Sequence, residues 1–242
     1  MYEILTIPSD DPMLESSPLV RALDFLAAKF AETPTGIQMT KNMAFRRDLV
    51  AEAISIIQWP EWTPQDIYDG YMPVKVADEY HFEPFWELHY LLLRMKLARH
   101  YKGKLVLTKQ GKAAFSDRFR RFDAVAQALL FDDPQYAEKR SWRNLMGNWD
   151  VWLNVLDVET QHGASGKKIT EALYGPAKDE NDFDPRTSDL YYGVLRPLIW
   201  CGMLNEHMDA GRKLTQRMYT KTLLWDRYFK LDPKTPILRL VH

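Results

Sequence analysis

Apolar residues recur along the chain at intervals of three and four, interrupted by Pro, Gly and short polar runs, and that pattern predicts a mainly helical protein. Ser17 before Pro18 reads as an N-cap with proline at the first helical position. Leu19, Leu23, Leu26 and Phe30 then give the helix one buried face until Thr33-Pro34. After Gly36, Ile37 to Met39 predicts one strand rung; Thr40 or Asn42 opens a helix carrying Phe45, Leu49, Ala53 and Ile57 on one face, closed by Trp59-Pro60. Residues 58 to 80 read as a long connection with a short helix from Thr63-Pro64.

From about Phe82 to Leu97 a helix with two apolar faces is expected, Phe85, Leu88, Leu92 and Met95 on one and Trp86, Tyr90, Leu93 and Leu97 on the other. Two narrow strips stay exposed, one of Glu83, Glu87 and Arg94, the other of His89 and Lys96. Ala98 to Tyr101 and Lys104 to Thr108 flank Lys102-Gly103 as a hairpin. A helix from near Gln110 then runs through Phe115, Phe119, Phe122 and Val125. In the second half Trp142, Leu145, Trp149, Trp152 and Leu156 mark an apolar helix face. Lys167 to Tyr174 is a short helix closed by Gly175, and Asp184-Pro185 or Ser188 caps a helix that ends at Gly202 and bends at Pro197.

The chain also echoes itself. Leu88, Leu97, His100, Leu107 and Thr108 have counterparts 107 residues later at Leu195, Leu204, His207, Leu214 and Thr215. Each half reads as helix, short helix, helix, hairpin, helix, which predicts two domains, 1–131 and 132–242. Asp132-Asp133-Pro134 marks the boundary between Phe131 and Arg140, and long helices near residues 111 to 158 make the link. Because His100 and His207 occupy matching places in the repeat, a packing role is expected for both.

The stretch Leu88 to Phe115, "LHYLLLRMKLARHYKGKLVLTKQGKAAF", resembles the recognition helix, wing and following helix of winged-helix proteins of the MarR or PadR type. Those proteins often carry an L-T-x-x-G run after the wing, matched here by Leu107-Thr108-Lys109-Gln110-Gly111. The second copy, Leu214-Thr215-Gln216-Arg217-Met218, lacks the glycine. The stretch from about Gly36 to Asp117 is also similar to an uncharacterised plasmid-associated bacterial family. The resemblance implies two tandem winged-helix-like domains, a fold that serves both as DNA reader and as protein-docking module.

Composition supports a globular chain: 46% hydrophobic residues and 13% aromatics over 242 residues supply a core. No apolar run reaches the length of a membrane span, and the N-terminus carries Glu3, Asp10 and Asp11 without Lys or Arg, so a cytoplasmic protein is expected. The formal net charge of −1 hides a strong asymmetry. Between Arg94 and Arg121, ten cationic side chains face Asp117 alone; between Gln58 and Glu87, seven acids face only Lys75. A basic wing of this kind neutralises phosphates and releases counterions.

The expected function is therefore a non-enzymatic regulatory or accessory protein that binds nucleic acid through Arg99, Lys102, Lys104, Lys109, Lys112, Arg118, Arg120 and Arg121. Arg212, Lys213 and Arg217 of the second hairpin assist. Sequence-specific readout by the preceding helix is not expected, because Glu83 and Glu87 stand where base-reading cations are wanted. The alternative is a protein-interaction module, a homodimer or a subunit of a larger bacterial assembly, in which the acidic and basic blocks meet complementary surfaces.

Candidate chemistry is sparse, and no cofactor or metal is expected. His81, His89, His100, His162, His207 and His242 include no i, i+4 pair of the zinc-protease kind. Gly163 to Lys168, "GASGKK", has the wrong spacing for a phosphate loop. Asp179 to Asp184 puts Phe183 where a calcium ligand would stand. Asp150, Asp157 and Glu159 are not drawn together by spacing, and the lone Cys201, among Ile199, Trp200 and Met203, reads as a buried hydrophobe. The aromatics around Trp59, Trp62, Trp86 and Trp149 fall at helical spacing and belong mostly to cores.

Overall fold

The computed structural model describes residues 1–131, 145–177, 184–209 and 211–232. The chain divides into two compact units, Pro8–Leu129 and Met1–Ile7 with Leu130–His242, both mainly helical with small antiparallel sheets. Residues 132 to 140 of the expected boundary, Trp142, the acidic residues 179 to 183 and His242 lie outside the described residues.

Strand β1 (Tyr2–Ile4) belongs to the second unit. The first unit begins its core with α1 (Pro18–Glu32), where Ser17 Oγ accepts the Val20 N–H at 3.2 Å and Leu19, Leu23, Leu26 and Phe30 are buried. After β2 (Ile37–Gln38) comes α2 (Arg47–Ile57), which starts later than Thr40 or Asn42. Thr40 Oγ1 instead accepts the Ala44 N–H at 3.0 Å and Met39 bridges Phe45, holding residues 39 to 45 in a turn with Met43 at φ 58°. Arg21 of α1 donates to the carbonyls of Ile57 (2.7 Å) and Gln58 (3.2 Å), satisfying the orphan end of α2. A Thr63–Asp66 capping box opens α3 (Pro64–Tyr68).

Next come α4 (Glu83–Arg94), β3 (Ala98–Tyr101) and β4 (Lys104–Leu107), in an antiparallel sheet of order β2–β4–β3. The faces of α4 differ from expectation. Glu87 and His89, placed on exposed strips, are 4% and 6% exposed, whereas Trp86, placed in the core, is 38% exposed. Buried polar partners drew His89 inward, and apolar periodicity alone does not reveal such partners. The single helix expected from Gln110 is two, α5 (Lys109–Phe115) and α6 (Arg118–Leu130). They break at Ser116-Asp117, where Asp117 accepts the Arg120 N–H at 2.7 Å and so caps α6.

The second unit repeats this order of elements. From α7 (Trp149–Glu159), capped by Asn148, the chain passes through β5 (Ala164–Ser165) into α8 (Gly166–Tyr174), closed by Gly175 at φ 77°. Two short helices, α9 (Pro185–Leu190) and α10 (Arg196–Trp200), are joined by a π turn, Tyr191–Leu195. The π turn falls where Pro197, lacking an N–H, cannot bond the carbonyl four residues back. Then follow β6 (Leu204–His207), β7 (Met218–Lys221), α11 (Leu223–Tyr228) and β8 (Phe229–Leu231). Sheet order β5–β7–β6 matches β2–β4–β3, and β8 pairs antiparallel with β1.

The repeat is real in element order but its expected constant offset is not. β3 and β6 start 106 residues apart, whereas β4 and β7 start 114 apart, because the second hairpin has a longer tip. Leu214 and Thr215 lie in that tip and not in a strand. The counterpart of Thr108 is Thr222: the two hydroxyls donate to Lys96 O (2.6 Å) and Gly202 O (2.7 Å) and cap α5 and α11. The counterpart of His100 is Glu206, so the pairing of His100 with His207 was a coincidence of spacing.

Candidate nucleic-acid interface

The β3–β4 hairpin turns through Lys102 at φ 48° and Gly103 at φ 73°. Positive φ at both central residues is what a two-residue hairpin of matching twist needs. Alternation along the strands then sorts the side chains. Ala98, His100 and Leu105 face the core side, while Arg99, Tyr101 and Lys104 share the outer face. Tyr101 is 48% exposed and carries two cations against its ring, Arg99 Cζ at 5.1 Å and Lys102 Nζ at 5.4 Å from the centroid. Lys104 Nζ donates to Thr35 Oγ1 at 2.8 Å. From α5, Lys109 and Lys112 are exposed.

The eleven expected phosphate contacts fall into three groups. Arg118 and Arg121 are held by carboxylates: Arg118 Nη2 lies 2.7 Å from Asp24 and 2.8 Å from Glu15, and Arg121 also binds Asp24. Arg217, in the other unit, pairs with the buried Glu206 at 3.0 Å and with the Tyr191 hydroxyl at 3.2 Å. These three are internally neutralised, and sequence gave no sign of it because Asp24 is 94 residues from Arg118. Arg212 and Lys213 are exposed in the second hairpin tip. The third group, Arg99, Lys102, Lys104, Lys109, Lys112 and Arg120, belongs to the first unit. Among the described residues none of these six has a carboxylate within ion-pair distance. Asp117, beside them, is held below the usual carboxylate range by the Ser9 hydroxyl and the Arg120 N–H.

On the core side of the same hairpin lies a hydrogen-bonded chain that pattern reading missed. Glu79, 1% exposed, accepts the Phe45 N–H on Oε2 (2.8 Å) and meets His89 Nδ1 on Oε1 (2.6 Å). His89 Nε2 in turn faces His100 Nε2 at 3.0 Å, and the Phe45 ring packs on the His89 imidazole at 4.6 Å. Burial, then the neighbouring His89, hold the His100 imidazole below its ordinary value, with Glu79 opposing. The chain ties α4 to β3 through polar groups and so fixes the hairpin against the helix. Its only signal in sequence is an i, i+10 Glu–His spacing across a 3-10 turn, which no helical or strand period predicts.

The other candidates have structural partners. Ser165 of the Gly163 to Lys168 run caps α8, accepting the Lys168 N–H at 3.2 Å. Asp157 binds Lys221 (2.6 Å) and Trp225 Nε1 (3.1 Å), and Glu159 binds Lys168 (3.0 Å). Cys201 is fully buried, which pushes its thiol up and away from reactivity. Among the described residues no group of three or more His, Cys, Asp or Glu side chains is placed to hold a metal, and no helix is long and apolar enough to cross a membrane.

Comparison with known proteins gives a family. Residues 15–120 match the Y4jL N-terminal domain and residues 139–223 the y4jL C-terminal domain. Over 175 residues the chain is 30% identical to the "Uncharacterized protein y4jL" of Sinorhizobium fredii (strain NBRC 101917 / NGR234), covering 72% of this chain and 78% of that protein. No solved structure matches.

Proposed function

The chain belongs to the y4jL family, and since that membership brings no activity with it, we propose from geometry that the protein is a non-enzymatic, cytoplasmic nucleic-acid-binding accessory protein acting through the first hairpin. The carrying observation is the group of six cations on the β3–β4 hairpin, α5 and the start of α6 that have no carboxylate within ion-pair distance among the described residues, whereas Arg118, Arg121 and, in the other unit, Arg217 do have one. Neutralised arginines hold the fold; unneutralised ones are left to meet an external anion. In each unit a helix, a strand, three helices and a two-stranded hairpin follow in order, with the first strand against the last, which supports reading each unit as a winged-helix-like module with an added short helix, the β3–β4 hairpin being the wing of the first. The partially buried Glu83 and buried Glu87 on α4 argue for backbone contacts over base reading.

The test is an electrophoretic shift of a duplex across a salt series. Six engaged cations give a log–log slope of at most about 5, at about 0.9 per phosphate contact. Reversing Lys102, Lys104 and Lys109 to Glu is expected to abolish retention; unchanged retention removes the proposal.

One observation favours a second reading, docking of a basic partner. Tyr71, Met72, Val76 and Tyr80 are 97%, 80%, 56% and 75% exposed, and Tyr80 and Trp86 pack at 6.3 Å within the acidic block that holds Asp66, Asp69 and Asp78. Such a surface suits a Lys- or Arg-rich segment, a second copy's basic hairpin included. Monomeric mass in size-exclusion light scattering at about 20 mM salt excludes the self-association form of this reading.

A further inference from the structure

Beside the cationic hairpin the first unit has a cleft of about 550 Å³, within the range of small-molecule sites. Its walls are the end of α1, the outer face of the β3–β4 sheet, and α5. Phe30 and Phe115 meet edge to face at 5.7 Å and 87°, and the exposed Tyr101 also lines the cleft. Arg99 and Lys112 are the charged residues of the lining, and among the described residues no acid lines the cleft. Arg99 Cζ lies 5.1 Å from the centroid of the Tyr101 ring, which favours a guanidinium placed at the cleft.

Three ligand chemistries can be weighed against this lining. A neutral apolar molecule leaves both cations unused, and inorganic phosphate leaves the aromatic walls unused. Duplex DNA presents phosphates, but its rings are stacked inside the helix and cannot enter. A flat ring bearing phosphate uses every feature, with its ring among the aromatic side chains and its anion on Arg99 and Lys112. We propose that this cleft binds a nucleotide, free or as an unpaired residue of a strand. The proposal deepens the phosphate-binding reading, with which it shares Arg99 and Lys112, and names the form of nucleic acid preferred.

The experiment compares an oligo-dA 12-mer, a duplex of the same length and free AMP, by fluorescence anisotropy for the polymers and by protein-observed NMR for AMP. The full chain is used, with two variants. Ala31→Trp fills the cleft from an exposed position on α1 without altering charge, and Tyr101→Ala removes an exposed ring. The single strand is expected to bind on the order of ten-fold tighter than the duplex at equal salt. Each variant is expected to bring the two within about two-fold, and Ala31→Trp, which changes no charge and no partner of the cations, is expected to do so with duplex binding and its salt slope as they were. Equal binding of strand and duplex by the natural chain, with no AMP shifts, overturns the cleft proposal and leaves phosphate binding standing. AMP shifts at Arg99, Tyr101 and Phe115 that Ala31→Trp abolishes, with neither polymer retained, overturn phosphate binding and keep the cleft for free nucleotide. A folded Ala31→Trp protein that keeps both the strand preference and the AMP shifts also overturns the cleft proposal.

Discussion

Lys102 shows how a single residue serves two ends. At φ 48° it occupies the left-handed region, where an ordinary L-residue loses about 1–2 kcal/mol and where Asn and Gly are the tolerant choices. On the proposed function, its charge, 5.4 Å from the Tyr101 ring centroid, is what lysine adds there. Lys102→Asn is expected to hold or raise the urea midpoint while lowering the DNA-binding salt slope by about 0.9. A lower midpoint with an unchanged slope contradicts that role. His100 acts through protonation. Its imidazole is held below the ordinary value of 6.5, so the unfolded chain takes up this proton at a higher pH than the folded one does. Stability therefore falls as pH drops below about 6.5 and levels off once the folded form is also protonated. Urea midpoints at pH 7.5 and 5 check this: His100→Gln, which keeps a partner for His89, is expected to show a shallower loss than the natural chain.

At the scale of elements, the L-T-x-x-G run has a physical explanation. A Cβ on Gly111 would stand 1.8 Å from the Leu97 carbonyl oxygen, so α5 can approach the end of α4 this closely only with glycine at that position. Gly111→Ala is expected to cost about 1–3 kcal/mol, the usual penalty of overpacking, in urea or thermal unfolding. In the second unit the same place after the threonine cap falls on Trp225, 1% exposed and bonded to Asp157, so α11 keeps the cap and replaces close approach with a ring. This contrast marks what was legible in the sequence. Caps, turns and apolar stripes act within about four residues, and Ser17-Pro18, Thr63-Pro64 and Lys102-Gly103 read correctly for that reason. Asp24 on Arg118 and Glu79 on His89 are tertiary pairings with no local signature, and they decided which cations stay open and which face of α4 is buried. The longer second tip shifted the repeat by eight residues, which a search at one fixed offset could not follow.

For the whole molecule, the net charge of −1 describes nothing that a ligand meets, because basic and acidic blocks are separated along the chain. The more telling large-scale feature is the return of the N-terminus. β1 pairs Tyr2, Glu3 and Ile4 with Leu231, Lys230 and Phe229, Leu5 N–H donates to Tyr228 O at 2.8 Å, and Ile7 is 3% exposed. These first seven residues complete the unit formed by the chain's second half, while the open cations belong to the other unit. Removing residues 1–7 leaves β8 as an unpaired edge and forfeits roughly 1.5–3 kcal/mol from Ile7 alone. Amide exchange at Phe229 to Leu231 is accordingly expected to accelerate strongly in that truncated chain, with exchange in β3 and β4 unchanged. If phosphate binding resides where the six cations are, DNA retention and its salt slope survive the truncation. Loss of retention along with the β8 protection would instead place essential contacts in the second hairpin, on Arg212 and Lys213.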